Sequence, residues 1–492
     1  MKFTKIALSL LLWTGIFLFW FLVHPLTLGF QEQNQLFLFT WDYLLDHLCR
    51  AGGFADYIAE FITQFNCIPW LGAALLAALM VCLQYRVWSA ATKKNDGWYP
   101  LSFIPAILML IGMGDIYVMP SHAVAICMAL GCYWLYRRTS YYGLFELIAI
   151  PVLYWLAGPA MWIFAILSVI VRIVEHGFDG RSIAFGTTGL IYPALLVILA
   201  HYTLLGQYPM KAAIFGIGYY RMPLVVPAIQ LITAGSAVLI PLLLEVLPEF
   251  RKPVLPAIVL TLLLAYPTYL GLSRSYDKAT QQAIALDQLI RQERWKDAVS
   301  AANEFMTDSP ECFVNLNLAL CMSGHSVDDI AGSSQSGTEG LIMPRVRDLI
   351  SNVGSYEVFW RLGMINSCLR YAFDSQESEM NNSKSGRHMS RIAECHMVNG
   401  NWMLAEKYLD ILSHSLFYRK WAMDRKSMIQ GETEPDPLYL YLQSVRFKED
   451  FLYYYPEMPR MLAKLYQENN TNKMAAWYFN AWMTLMKQEE HK

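Results

Sequence analysis

Eight side chains scattered through an otherwise apolar sequence have the types that group transfer needs. Glu32, Asp42, Asp46 and Asp115 are carboxylates able to take the proton of an acceptor hydroxyl, with His122 as an alternative base. Arg50, Lys211 and Arg221 are cations that would steady the charge of a leaving phosphate. Rival chemistries lack their marks: there is no GxxxxGKS/T, HExxH, CxxC or GxSxG motif, and no strand followed by GxGxxG. No cofactor signature is evident and no metal ligand set follows from spacing, although a divalent metal would be compatible with phosphate chemistry.

The elements that must position these residues are set by composition. The chain has 492 residues, 55% hydrophobic and 16% charged, with a mean hydropathy of +0.30. That excludes an ordinary soluble enzyme, for which about 25% charge is usual. A net charge of −2 provides no basic field for nucleic acid. Charge density rises from about 10% over residues 1–272 to about 24% over 273–492. The expected fold is therefore all-α in two parts: a polytopic membrane module at 1–272, then a soluble helical domain at 273–492.

A membrane-spanning helix needs about 20 mostly apolar residues. Nine stretches are read as spans: Ile6–Val23, Ile68–Trp88, Leu101–Met113, Ser121–Tyr136, Leu144–Ala157, Ala160–Ile173, Gly186–Leu204, Pro223–Leu247 and Val254–Leu270. The first is long and is followed by His24 and Pro25 rather than a small-residue cleavage site, so it reads as a retained anchor. With the N-terminus in the cytoplasm, eleven Lys and Arg near span ends face inward, and only Arg50, Lys211 and Arg221 face outward. The odd count predicts an exported C-terminal domain, periplasmic if the membrane is a bacterial inner membrane.

The outside loop at 24–67 holds five acids. In its second half Phe54, Tyr57, Ile58, Phe61, Ile62 and Phe65 recur at helical spacing, with Asp56, Glu60 and Thr63 opposite. This predicts an amphipathic helix lying on the membrane surface with its acids in water. A preceding stretch, Leu36–Leu48, carries Asp42 and Asp46, and Gly52 and Gly53 break it from the next helix.

In the C-terminal part, Trp295 with Ala298, Trp402 with Ala405 and Lys473 with Ala476 recur at multiples of about 36 residues, near the roughly 34 of a tetratricopeptide repeat. The small alanine would let antiparallel helices approach, so this part resembles a degenerate tetratricopeptide-like array, with a plain helical bundle as the alternative. Polar loops are expected at Ser323–Gly340, Asp374–Gly386 and Asp424–Pro437. Of nine cysteines, Cys67, Cys82, Cys127 and Cys132 lie in or at spans. In an exported domain, Cys312, Cys321, Cys368 and Cys395 would allow one or two disulfides.

The layout resembles the GT-C class of membrane glycosyltransferases, with an inside N-terminus, an acidic first outside loop bearing surface helices, a second outside loop with Asp115, and an exported tail. It departs from that class where Phe30–Asn34 stands in place of a pair of adjacent acids. The segments Glu32–Phe37 and Gly52–Phe54, with Gln64, Phe65 and Pro69, also resemble a family of bacterial multi-pass membrane proteins of unassigned activity. The GT-C resemblance implies transfer of a sugar from a polyprenyl phosphate carrier to an acceptor in the cell envelope. The alternatives are a noncatalytic membrane-anchored scaffold that binds envelope proteins through its repeats, and, third, a transporter. Beyond the lipid bilayer, the partners implied are a polyprenyl-linked glycan and envelope proteins, and no nucleic acid.

Overall fold

The computed structural model describes residues 2–92, 94–177, 180–216, 228–304, 308–331, 336–344, 350–379, 383–447 and 455–490. These residues are helical throughout and contain no strand. They divide into two units: Met1–Glu32 with Thr40–Tyr276, and Gln33–Phe39 with Asp277–Lys492.

The first unit comprises α1 (Lys2–Leu18), α2 (Pro25–Gln33), α3 (Trp41–Leu48), α4 (Gly53–Thr63), α5 (Pro69–Ala90), α6 (Ile104–Gly112), α7 (Ser121–Tyr136), α8 (Tyr142–Ala157), α9 (Met161–His176), α10 (Gly180–Thr203), α11 (Met210–Phe215), α12 (Ala228–Val246) and α13 (Val254–Ser275). A π-turn, Phe19–Val23, extends α1. The core gathers around Trp20, Met80, Leu83, Tyr133 and Phe164. Small residues at Ala73, Ala77, Ala125 and Ala129 are fully buried and let α5 and α7 approach, as packing between membrane helices favours. The outer surface is apolar: Ile6, Leu10, Leu195, Leu199, Leu262, Leu263 and Tyr266 are all exposed. Apolar surface on this scale calls for lipid.

Among the described residues six helical stretches are long and apolar enough to cross a membrane: Phe3–Val23, Pro69–Ala90, Tyr142–Glu175, Gly186–Thr203, Ala228–Val246 and Val254–Ser275. The expected nine is corrected for two reasons. Asp96–Gly112 and Ser121–Tyr136 are apolar helices shorter than a straight span. The two spans expected at 144–157 and 160–173 form one run of 34 residues, interrupted by a 3-10 turn at Gly158–Ala160. The odd-count argument for export therefore fails.

The second unit comprises α14 (Lys278–Arg291), α15 (Trp295–Glu304), α16 (Pro310–Met322), α17 (Asp328–Ala331), α18 (Ser351–Leu362), α19 (Ile365–Ser378), α20 (Gly386–Asn399), α21 (Trp402–Ser413), α22 (Arg419–Ile429), α23 (Pro437–Val445), α24 (Met458–Glu468) and α25 (Lys473–Glu490). Neighbouring helices pack in pairs, among them α18 with α19, α20 with α21 and α24 with α25. Ala298 and Ala405 are fully buried, as a close helix approach requires, but in α25 the buried alanine is Ala475 and Ala476 is only half-buried. The third alanine expected from the spacing is thus displaced by one residue. The expected loops also start late, because α19 continues to Ser378 and α22 to Ile429.

A charge network lies inside this unit. Arg387 grips Asp287 with both terminal nitrogens at 2.5 and 2.8 Å and reaches Glu357 at 3.3 Å. Arg391 holds the other oxygen of Glu357 at 2.7 Å and stacks over Trp360. Gln33 accepts from Arg291 at 2.8 Å through its side chain and from Ser385 at 2.6 Å through its backbone carbonyl. Phe39 donates its amide to the carbonyl of His414 at 2.9 Å. The short segment Gln33–Phe39 is thereby built into a domain whose remaining residues begin at Asp277.

Candidate functional site

The first outside loop folds into a helical hairpin, α3 and α4. Thr40 caps α3 by accepting from the Tyr43 amide at 3.3 Å, and Asp42 in the first turn suits the helix dipole. Gly52 turns the chain with φ of 82°, a conformation that favours glycine. At Gly53 the backbone passes so close to the carbonyl of His47 that a Cβ would overlap it. Two bonds fasten the turn to α8: Gly52 donates to the Trp155 carbonyl at 2.9 Å, and the Trp155 indole donates to the Leu48 carbonyl at 2.8 Å.

The tight hairpin brings Tyr43 and His47 of α3, one helical turn apart, against Asp56 and Glu60 of α4, also one turn apart. The Tyr43 hydroxyl donates to Glu60, and His47 Nε2 lies 3.1 Å from the same carboxylate oxygen. His47 Nδ1 is 2.8 Å from the Tyr43 carbonyl. Arg50 pairs with Asp56, whose other oxygen accepts from Ser121, at the start of α7, at 2.7 Å. The side chains of Asp56 and Glu60 are only 6% and 8% exposed. Next to Ser121, His122 Nε2 sits 3.1 Å from the Gln230 carbonyl of α12, and the buried side-chain amide of Gln230 has no hydrogen-bond partner among the described residues. A polar layer drawn from α3, α4, α7 and α12 thus closes one end of the unit.

Electrostatics couple the group. Burial works against the charge of His47, but the hydrogen bond and charge of Glu60 outweigh it and raise the imidazole above its ordinary value. Burial likewise opposes ionisation of Glu60, yet His47, Arg50 and Tyr43 hold it below the usual carboxylate range. Burial lifts Asp56 despite Arg50. Burial and Glu60 together push the Tyr43 phenol well above its ordinary value. One imidazole nitrogen and one oxygen each from Asp56 and Glu60 lie within 4.8 Å of one another, a donor set and spacing that would fit a divalent cation.

Of the residues predicted from sequence, the structure brings two to this layer, Arg50 and His122. Asp42 and Asp46 lie exposed on the outer side of α3, and Lys211 is exposed on α11. Asp115 is exposed and caps its own turn by accepting from the Tyr117 amide at 3.0 Å. Glu32 is buried near the end of α2. Arg221 lies outside the described residues. Tyr43, His47, Asp56, Glu60 and Ser121 were missed. Their available signal was two i, i+4 pairs on either side of a double glycine, Tyr43 with His47 and Asp56 with Glu60.

The amphipathic helix expected on the membrane surface is present as α4, but inverted. Asp56, Glu60 and Thr63 are buried, whereas Phe61 is exposed and Tyr57, Ile58, Ile62 and Phe65 are half-buried. The polar stripe of α4 thus faces the protein and its apolar stripe faces outward. No curated protein and no solved structure matches the chain. A family model matches residues 1–490, and the chain belongs to that family of unknown function, DUF6057.

Proposed function

We propose that this protein is a membrane-embedded transferase of the GT-C kind, moving a sugar from a polyprenyl phosphate carrier to an acceptor of the cell envelope, with the Asp56–Glu60 layer as its reaction centre. The observation that carries the reading is a helical hairpin, α3 and α4 with the turn between them, that turns two carboxylates, an imidazole and a guanidinium inward. Asp56 or Glu60 would accept the acceptor's proton. Arg50 would meet the developing phosphate charge, and Ser121 and Tyr43 would fix the carboxylate oxygens. His47, Asp56 and Glu60 would hold a divalent cation, which as a Lewis acid supplies charge stabilisation at phosphate.

The same reading takes the second unit to be a tetratricopeptide-like domain on the membrane face opposite the N-terminus, periplasmic in a bacterial inner membrane. Its support is that Gln33–Phe39, only ten residues beyond the end of the first span, belongs to that unit; the reading needs one crossing more than the five long stretches between Phe39 and Asp277 provide, which a shorter apolar helix such as Ser121–Tyr136 would supply. The test is Asp56→Asn and Glu60→Gln, each assayed for loss of an envelope glycan at unchanged protein level, beside Glu32→Gln, Asp42→Asn and Asp115→Asn. Full glycan synthesis in both the Asp56 and Glu60 variants sinks the proposal.

A specific observation favours one second reading. The carboxylates of the layer are already matched by partners inside it. In a noncatalytic protein the layer would lock the α3–α4 hairpin, and the second unit would bind envelope proteins as a scaffold. That reading predicts that exchanging the layer for apolar residues leaves function intact.

A further inference from the structure

At the end of the first unit that carries the N-terminus, α1, α5 and the segment after α5 line a groove of 1190 Å³. That is larger than the roughly 300–1,000 Å³ of a pocket for a drug-sized molecule. Its walls are apolar and open to the surroundings of the helices: Ile6, Leu10 and Trp13 come from α1, and Ala78, Val81 and Tyr85 from α5. Its floor is polar. Ser9 is 2.6 Å from the Tyr99 hydroxyl and donates to Gln84 at 3.1 Å, and Gln84 donates to Ser102 at 2.7 Å.

Charge is concentrated at the mouth. The ammonium groups of Lys5 and Lys94 both lie over the Trp88 ring, 5.8 and 5.5 Å from its centroid. Asp96 takes Lys5 at 3.0 Å. Lys94 donates to the Trp88 carbonyl at 2.9 Å, and among the described residues no carboxylate lies within 4.0 Å of it. Partial burial and the neighbouring Lys5 hold Lys94 below the ordinary lysine value, with Glu245 and Asp96 opposing. The lining itself carries Lys5, Lys94 and Asp96; Glu245 lies outside the lining, accepts from the amide and hydroxyl of Thr92 at 3.0 and 2.9 Å, and acts on Lys94 from beyond 4.0 Å, so Lys94 is the lining cation without a paired carboxylate. An apolar channel running along two spanning helices to a cationic, tryptophan-floored mouth matches a lipid with acyl chains and a negatively charged head.

We propose that this groove binds one anionic phospholipid, its phosphodiester held by Lys94 and Lys5 and its acyl chains lying between α1 and α5. The lipid's phosphate would complete the charge at Lys94, and its chains would cover Ile6 and Leu10. The site lies at the far end of α5 from the Asp56–Glu60 layer and does not depend on that layer's role.

The test uses the full chain purified in detergent, incubated with equal amounts of phosphatidylglycerol and phosphatidylcholine, with retained lipid counted by native mass spectrometry. The wild type should hold phosphatidylglycerol in preference. Lys94→Gln should lower that retention about fivefold, the factor that corresponds to the roughly 1 kcal/mol a basic residue contributes near an anionic lipid surface. Lys94→Arg should keep it. Ala78→Phe fills the groove without touching either charge and should lower retention of phosphatidylglycerol in a protein that keeps both lysines. Equal retention of the two lipids by the wild type, undiminished phosphatidylglycerol in both Lys94→Gln and Ala78→Phe, or displacement of the lipid by millimolar inorganic phosphate would each overturn the proposal.

Discussion

Replacing Arg50 by Met gives the clearest test of whether the polar layer is as dry as its geometry implies. The substitution keeps much of the side chain's length and removes the guanidinium from Asp56, leaving that carboxylate buried with the single neutral donor Ser121. Breaking a buried ion pair from one side costs about 3–5 kcal/mol. The structure also sets a ceiling, because Asp56 can escape by taking up a proton. For a carboxyl with an ordinary value near 3.9, protonation at pH 7 costs about 4 kcal/mol, and each unit of acidification returns about 1.4 kcal/mol. The penalty for Arg50→Met should therefore be at most about 4 kcal/mol at pH 7 and at most about 1.5 kcal/mol at pH 5, and smaller by as much as burial already lifts Asp56 in the wild type. Arg50→Met with Asp56→Leu, which removes both charges, should return to within about 1 kcal/mol of the wild type. Reversible unfolding in mixed micelles, followed by tryptophan fluorescence at several pH values, measures all three. A penalty below about 1 kcal/mol, or one that does not change with pH, would show that water reaches the pair and would refute the argument. If the transferase reading is right, the double variant is stable but inactive.

Three further outcomes are expected. Gly53→Ala should destabilise the hairpin by about 1–3 kcal/mol, since the added methyl overlaps the His47 carbonyl, and should release α3 amides to hydrogen exchange. In the second unit burial opposes the charge of Glu357, yet Arg391 and Arg387 hold its folded-state value down at about 2. Its stabilisation, about 3 kcal/mol, is therefore complete above the unfolded value near 4.5 and is lost as pH falls towards 2. Acid unfolding of α18 and α20 should show this slope, and Glu357→Gln should abolish it. Cys368 and Cys395 bring their buried thiols to 3.5 Å. In chain isolated without reductant and denatured in alkylating agent, this pair should be oxidised if the second unit faces an oxidising compartment, and both thiols should be alkylated if it does not.

Hydropathy located the membrane helices well, because Phe3–Val23, Pro69–Ala90 and Val254–Ser275 are apolar all round and need no neighbour to define them. The count was harder to read. Ser121–Tyr136 and Asp96–Gly112 are apolar enough for lipid but short for its thickness, and composition does not distinguish a short span from a helix buried inside the unit. The site was legible only as a location. The acids were sought in the loop at 24–67, where the layer lies, yet Asp42 and Asp46 point to solvent while Asp56 and Glu60 do not. The sequence pattern reports that α4 has two faces; it does not report which solvent bathes each one. In water the acids of such a helix face out, and beside lipid they face in. Ala475 taking the place expected for Ala476 is a smaller case of the same limit, since neighbouring alanines fit a helical stripe equally well until packing selects one.

The inclusion of Gln33–Phe39 in the second unit also has a consequence in time. Gln33 and its partner Ser385 are 352 residues apart. At the usual pace of about 5–20 residues per second, the ribosome makes the later partner tens of seconds after the earlier one. Throughout that interval the carbonyl of Gln33 lacks its native donor, the Ser385 hydroxyl. This part of the second unit therefore cannot form before residues near 385 have been made. Its folding joins residues near Ser385 to a strip of chain made near the start of synthesis, so insertion of the first helix alone does not make the protein native.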